Sequence, residues 1–247
     1  MCFNKNIADK DALAAHYQTK YHITKGPFLT EHRRIYRIPE QIKLLGEISN
    51  LLPAPASVLD LGCDKGFFLD EARRWGYTVH GIELSEAGRK YSETIGIRVD
   101  ANMDSLTSKF NAVTMWHVLE HIADPVELLG KIRGVLTDGG LLFLRVPDFG
   151  CLYSRLLRDK WLWFQPQNHC FHYTKNAMAR LLDVCGFKVI KLTSQRPNKL
   201  AELLSFEVAT ISLNRYPGFR LPVRKKLGCL YETATGIELF CIASVSS

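Results

Sequence analysis

Residues 58–69 read Val58-Leu59-Asp60-Leu61-Gly62-Cys63-Asp64-Lys65-Gly66-Phe67-Phe68-Leu69, and the succession of residue types there decides the fold. Val58, Leu59 and Leu61 make a short apolar run after the Pro53-Ala54-Pro55 breaker, which predicts a buried strand over 58–62. Phe67, Phe68, Leu69 and Ala72 predict a helix over 67–75. Gly62 and Gly66 bracket the turn between them, as a turn needing positive φ or close approach to a ligand demands. A second strand over 78–82 leads into Glu83, 21 residues beyond Gly62. An acid at about that separation reaches ribose hydroxyls in a βαβ unit, so the unit has a place for adenosine.

The charges on the turn narrow the ligand class. The dinucleotide fingerprint G-x-G-x-x-G fails, because Asp64 and Phe67 stand at two of its glycine positions, and NAD is disfavoured. A pyrophosphate would want bare amides at a helix N-terminus, whereas Asp60 and Asp64 put negative charge beside the turn. S-adenosylmethionine, with an ammonium, a sulfonium and no phosphate, suits such a cradle.

The βα alternation continues from there. A helix is predicted over 86–95, a weak strand over 97–100, a strand over 111–116 and a helix over 125–136, with Asp138-Gly139-Gly140 as its C-terminal stop before the strand Leu141 to Val146. Thr174 is placed to cap a helix that runs to Val184 and is closed by Gly186; strands follow at 188–193 and 238–245. Ile38, Ile42, Leu45 and Ile48 have helical spacing. The expected architecture is α/β: a doubly wound, seven-stranded Rossmann-like sheet with helices on both faces. Its parts are an N-terminal helical cap (1–52), the core (53–196), an insertion or lid (197–235) and the final strand (236–247).

VLDLGCDKG at 58–66, VHGIELS at 79–85, FNAVTMWHVLEHIADP at 110–125 and LTDGGLLFLRVPD at 136–148 together resemble the class I S-adenosylmethionine-dependent methyltransferases, in the group that includes ubiquinone-biosynthesis methyltransferases. The resemblance spans roughly 55–192, with two departures: Asp64 replaces the usual middle glycine, and Asn111 the usual aspartate after the phenylalanine. It implies S-adenosylmethionine as cofactor, S-adenosylhomocysteine as product, and a binding set of Asp60, Gly62, Cys63, Gly66, Glu83, Leu84, Asn102, Met103, Trp116 and His117. Asn102 and Met103 fall in the stretch matching the adenine site, with Asp104 next to them.

Methyl transfer from a sulfonium is an in-line displacement, so alignment and exclusion of water supply much of the rate and no metal is required by default. A hydroxyl acceptor is helped by a base near neutrality, for which histidine is the natural choice. His117, His169 and His172 are the catalytic candidates. His117 follows the fourth core strand, and the resemblance implies that it is a cofactor binder first and a base second. His169 and His172 lie in the aromatic-rich stretch 161–173, with His169 placed first. Glu120 and His121 read first as a structural hydrogen-bonded pair that packs the helix start, and Tyr17, Tyr21, His32, Arg33, Arg34 and Tyr36 are candidates to close over the acceptor.

At 247 residues and 47% hydrophobic, the chain suits one α/β domain with modest additions. No run of about 18 apolar residues suggests a membrane span and the N-terminus has no apolar signal core, so a cytoplasmic protein is expected. Seven cysteines without a C-x-x-C pair suggest neither disulfides nor a zinc site. The net charge of +7 is uneven: residues 51–150 are acidic, and residues 151–247 carry 14 Lys and Arg against 6 Asp and Glu. A basic flank attracts an anionic acceptor or membrane surface. The expectation is O-methylation of a small-molecule, sugar or lipid-linked acceptor. The alternatives are an RNA or DNA methyltransferase, favoured by a pI near 9.0 but lacking the [DN]-P-P-[YF] stretch, and a non-catalytic cofactor-binding scaffold.

Overall fold

The computed structural model describes residues 2–3, 41–161, 163–195 and 237–246. Most of the N-terminal cap, with its tyrosines, arginines and His32, and the 197–235 insertion lie outside the described residues. The elements are β1 (Cys2–Phe3), α1 (41–49), β2 (Ser57–Leu61), α2 (Phe67–Arg74), β3 (Thr78–Ile82), α3 (Glu86–Thr94), β4 (Val99–Asp100), β5 (Phe110–Trp116), α4 (Pro125–Val135), β6 (Leu136–Pro147), α5 (Leu152–Leu157), β7 (Phe171–His172), α6 (Lys175–Val184), β8 (Phe187–Gln195) and β9 (Glu238–Val245). One 3-10 turn spans Leu119–His121 and another Arg158–Lys160.

Seven strands form one sheet in the order β4-β3-β2-β5-β6-β9-β8. β2 pairs in parallel with β3 and β5, and β9 runs antiparallel to both β6 and β8. Side chains alternate across the strands. On one face Leu59, Leu61, Val113, Met115, Leu142 and Leu144 meet Leu129 and Ile132 of α4 and Met178 and Leu182 of α6. On the other, Val58, Ala112, Phe143, Phe240 and Ile242 meet Leu45 and Ile48 of α1 and Phe68, Leu69 and Ala72 of α2. This is the predicted doubly wound sheet. Among the described residues no helix is long and apolar enough to cross a membrane.

Three boundaries differ from expectation, the first being the strand expected over 97–100, which is confined to Val99–Asp100. Asp138-Gly139-Gly140 does not stand apart as a helix stop, because β6 already starts at Leu136 and runs through it. Gly139 takes φ +70 within the strand, and a register shift between Phe110 and Ala112 absorbs the irregularity. β8 is also longer than predicted. The caps agree with expectation: Thr174 Oγ1 accepts from Ala177 N at 3.3 Å, and Gly186 has φ +77. Asn111 laces the starts of two strands, its Oδ1 accepting from the amide and the hydroxyl of Ser57 at 2.9 Å each.

β3 lies so close to the glycine turn that a Cβ on Gly81 would come within 2.6 Å of Cys63 Sγ and 3.0 Å of Leu69 and Val99 atoms. Gly81→Ala should therefore cost about 1–3 kcal/mol by overpacking, read as a lower urea midpoint. Removing the sulfur in a Cys63→Ala/Gly81→Ala double variant should recover part of that loss. Simple additivity of the two changes would refute the contact.

Candidate functional site

The strand order reverses between β2 and β5, and ligands of open α/β sheets bind beyond the strand carboxyl ends at such a point. The loop 62–66 stands there. Gly62, Asp64 and Gly66 all have positive φ, at 70, 52 and 71 degrees. The departure at position 64 is thus accommodated in the backbone, since aspartate tolerates the left-handed region better than most side chains. Around the loop the packing leaves no room for side chains: a Cβ on Gly62 would meet Val118 Cγ2 at 2.6 Å, and one on Gly88 would meet the Asp64 carbonyl at 2.9 Å.

Glu83, just past β3, ties this loop down. Its Oε2 accepts from Asp64 N at 2.9 Å and its Oε1 from Ser85 N at 2.8 Å. Each carboxylate oxygen has a second lone-pair direction for a further donor such as a ribose hydroxyl. Asp60, next to last in β2, is almost wholly buried, and Thr114 Oγ1, its neighbour across the β2/β5 pairing, donates to its Oδ1 at 2.6 Å. Burial pushes the Asp60 carboxyl up to about 8, with the Thr114 hydrogen bond opposing and the Glu83 charge adding to the rise. A cation is what such a carboxyl lacks.

The other expected binding residues are distributed around the same end of the sheet. The Cys63 thiol points inward against β3, and burial drives its pKa upward, so its outward contribution is backbone. Leu84 is half exposed past Glu83, and Asn102 Oδ1 accepts from Asp104 N at 3.0 Å, forming a turn after β4. Met103 packs on the core edge. Trp116 ends β5 edge-on to Phe68, ring centroids 5.3 Å apart.

His117 follows with φ +58, a costly backbone for a residue other than glycine, held by its amide donating to the Arg145 carbonyl at 2.9 Å. Its Nδ1 lies 3.3 Å from Glu120 Oε1 and its Nε2 3.2 Å from Glu238 Oε1. Burial opposes charge on the ring, but the two carboxylates outweigh it and push the imidazole up to about 10. Burial alone would raise Glu120 and Glu238; the imidazolium's hydrogen bonds and charge bring both below the ordinary value. His117 is therefore a fixed cation whose ring nitrogens both donate. Arg145, buried on β6, closes the group with Nε 3.5 Å from Glu238 Oε2.

Beyond His117 stands an aromatic wall. Trp163 stacks on its ring at 5.2 Å and 11 degrees, and Phe149, Phe164 and His172 cluster behind, with the Phe164 and His172 centroids 4.9 Å apart. β1 pairs with β7 so that Cys2 opposes His172. His169 is buried against His121, rings 4.8 Å apart. Burial brings His169 down to about 4 and lowers His172 as well, so both are neutral imidazoles at pH 7.

Thr114, Glu238 and Arg145 escaped sequence reasoning. The signal for Thr114 was one polar residue in the apolar run 112–115, and for Glu238 a carboxylate opening an apolar strand; neither names its partner.

A family profile described as "Methyltransferase domain" matches residues 30–192. The ubiquinone biosynthesis O-methyltransferase of Xanthomonas axonopodis pv. citri (strain 306) is 34% identical over 107 residues, covering 39% of this chain and 45% of that protein. Its namesake in Actinobacillus pleuropneumoniae serotype 5b is 30% identical over 101 residues, covering 35% and 43%. The match thus spans less than half the length of these curated relatives. Among solved structures, a SAM-dependent methyltransferase from Archaeoglobus fulgidus has TM-score 0.61 at 20% identity, covering 88% of this chain and 98% of that one. The magnesium protoporphyrin IX methyltransferase of Synechocystis PCC 6803, with bound SAH, has TM-score 0.62 at 13% identity, covering 96% and 100%; both likenesses concern the fold. With an acid-lined glycine loop at the switch point of a seven-stranded sheet and a profile match over most of its length, the chain belongs to the methyltransferase-domain family.

Proposed function

We propose that the protein methylates a hydroxyl oxygen of a small-molecule or lipid-linked acceptor in the cytoplasm. When bound, the cofactor supplies an electrophilic methyl group on a sulfonium. In this reading Glu83 accepts from the ribose hydroxyls, Asp60 faces the ammonium, and Gly62, Cys63 and Gly66 offer backbone. Asn102 and Met103 border the adenine, while Leu84, Trp116 and His117 complete the wall. The observation that carries the acceptor assignment is the aromatic face beside His117, formed by Trp163, Phe149 and Phe164 with two neutral imidazoles. Apolar walls with a few polar groups suit a small organic molecule and keep water from the reacting atoms.

His117 cannot serve as the base while both its nitrogens donate to carboxylates. It acts instead as a positioning cation. His172 is the group that takes the hydroxyl proton, since its buried Nε2 has no partner and its lowered pKa leaves the ring neutral. His169 lines the same wall. The names of the curated relatives support oxygen as the acceptor atom. Exposed Leu152 and Leu156, beside Arg155, Arg158 and Lys160, support a tail that is apolar and anionic.

The test is incubation with methyl-labelled S-adenosylmethionine and a panel of phenols, catechols, prenylated phenols and total RNA, with products read by mass spectrometry. Methyl ethers of the hydroxyl compounds are expected. In His172→Ala, kcat should fall about 100- to 10,000-fold, the usual worth of a general base, with cofactor affinity unchanged. Label in RNA alone, or unchanged kcat in the variant, would overturn the reading.

A further inference from the structure

A second cluster lies behind His117. Cys170 N donates to the Glu120 carbonyl at 2.7 Å, Cys170 Sγ to the His121 carbonyl at 3.2 Å, and His121 Nδ1 to the Asn168 carbonyl at 2.8 Å. These bonds stitch the 165–170 segment to the 119–121 turn and so bring together Glu120, His121 and His169, whose ligating atoms all lie within 4.8 Å of one another. Glu120 is 1% and His169 3% exposed, and Glu120 Oε2 and His169 Nδ1 are buried without a hydrogen-bond partner. Two hydrogen-bonding atoms left so in a protein interior are costly. A cation among them would satisfy both.

From this juxtaposition of a carboxylate and two imidazoles we propose that Glu120, His121 and His169 form a site for one divalent transition-metal ion of the Zn2+ class. Carboxylate and imidazole are the oxygen and nitrogen ligands such ions take. Donor atoms around a tetrahedral ion at about 2.0–2.2 Å sit roughly 3.3–3.6 Å apart, so the cluster must draw in by about an ångström at its widest. The outer contacts are those of a built site. The Asn168 carbonyl holds His121 Nδ1–H and leaves the ring's lone pair on Nε2, and His117 occupies the other oxygen of Glu120. No cysteine takes part, which is why cysteine spacing pointed to no zinc site.

The full chain, stripped with a chelator, is titrated with Zn2+ alone and read by calorimetry and by the ring 15N signals of its eight histidines. One equivalent should bind and shift two ring systems, a pattern visible in the unmutated protein. Glu120→Gln and His169→Ala should each weaken binding at least about 100-fold, and His172→Ala, outside the trio, should leave it intact. Absence of one-equivalent binding, shifts confined to other histidines, or variants that bind as the parent does would overturn the proposal. Cofactor binding by the stripped protein is measured alongside; the methyltransferase assignment stands whichever way the metal result falls.

Discussion

Glu83→Ala should abolish practical S-adenosylmethionine binding, with a Kd at least about 100-fold weaker by calorimetry, and should destabilise the fold by about 2–4 kcal/mol in urea denaturation. Both effects come from one carboxylate. Its two oxygens hold Asp64 N at 2.9 Å and Ser85 N at 2.8 Å, and hydrogen bonds to a charged group are worth about 1.5–3 kcal/mol each. The loop that they fix contains three residues at positive φ and relaxes once its anchor goes. Glu83→Gln separates the parts: its amide group can accept from one backbone N–H but turns a donor toward the other. It should therefore lose about half the stability that Glu83→Ala loses. The ribose contact is tested with 5′-methylthioadenosine and its 2′,3′-dideoxy analogue. The parent protein should prefer the first about 100-fold, and Glu83→Ala should bind both alike. An unmodified protein that does not distinguish them would remove the ribose contact and leave Glu83 as a loop anchor only.

The glycine turn, the strand before it and Glu83 were legible in the sequence because each is set within about 25 residues by local rules: a breaker, an apolar run, glycines where a Cβ cannot fit. What lay beyond local rules was invisible. Thr114 meets Asp60 only because β2 and β5 pair in a register that sets the two opposite each other. Glu238 reaches His117 only because β9 inserts antiparallel between β6 and β8, setting Glu238 opposite Pro147. Glu120 was in view, three residues from His117, yet the role of His117 changed once its second carboxylate came from the far end of the chain. His117 read as a cofactor binder first and a base second; paired twice, it is a cation and the second role falls away. The Asp138-Gly139-Gly140 signal was half right: the helix does end, at Val135, but pairing along β6 takes the two glycines into the strand instead of leaving them in a loop.

Asp60 gives the largest pH effect. Its carboxyl, pushed up to about 8 by burial, is mostly protonated at pH 7, and a bound ammonium favours the ionised form and pulls the pKa down. Binding must then expel close to one proton at pH 7, measurable as a dependence of calorimetric enthalpy on buffer ionisation. Affinity should rise nearly tenfold per pH unit from 6 toward 8, and turn over there because an α-amino group itself deprotonates at about 7.7–8.0. Asp60→Asn should remove the acid limb and weaken binding at pH 8 about 10- to 100-fold, the worth of a charge-assisted hydrogen bond. Thr114→Val, which deletes the hydrogen bond that holds the carboxyl down, should move the limb to higher pH. 5′-Methylthioadenosine, lacking the ammonium, should bind with no such slope. Stability carries the opposite sign. The folded protein keeps the Asp60 proton where the unfolded chain has lost it, so the contribution of this group falls as pH rises from about 4 to 8 and levels off above. Asp60→Asn should accordingly raise the Tm at pH 8 and change it little at pH 4. A cofactor affinity that is flat between pH 6 and 8, with no proton released, would mean that Asp60 does not face the ammonium.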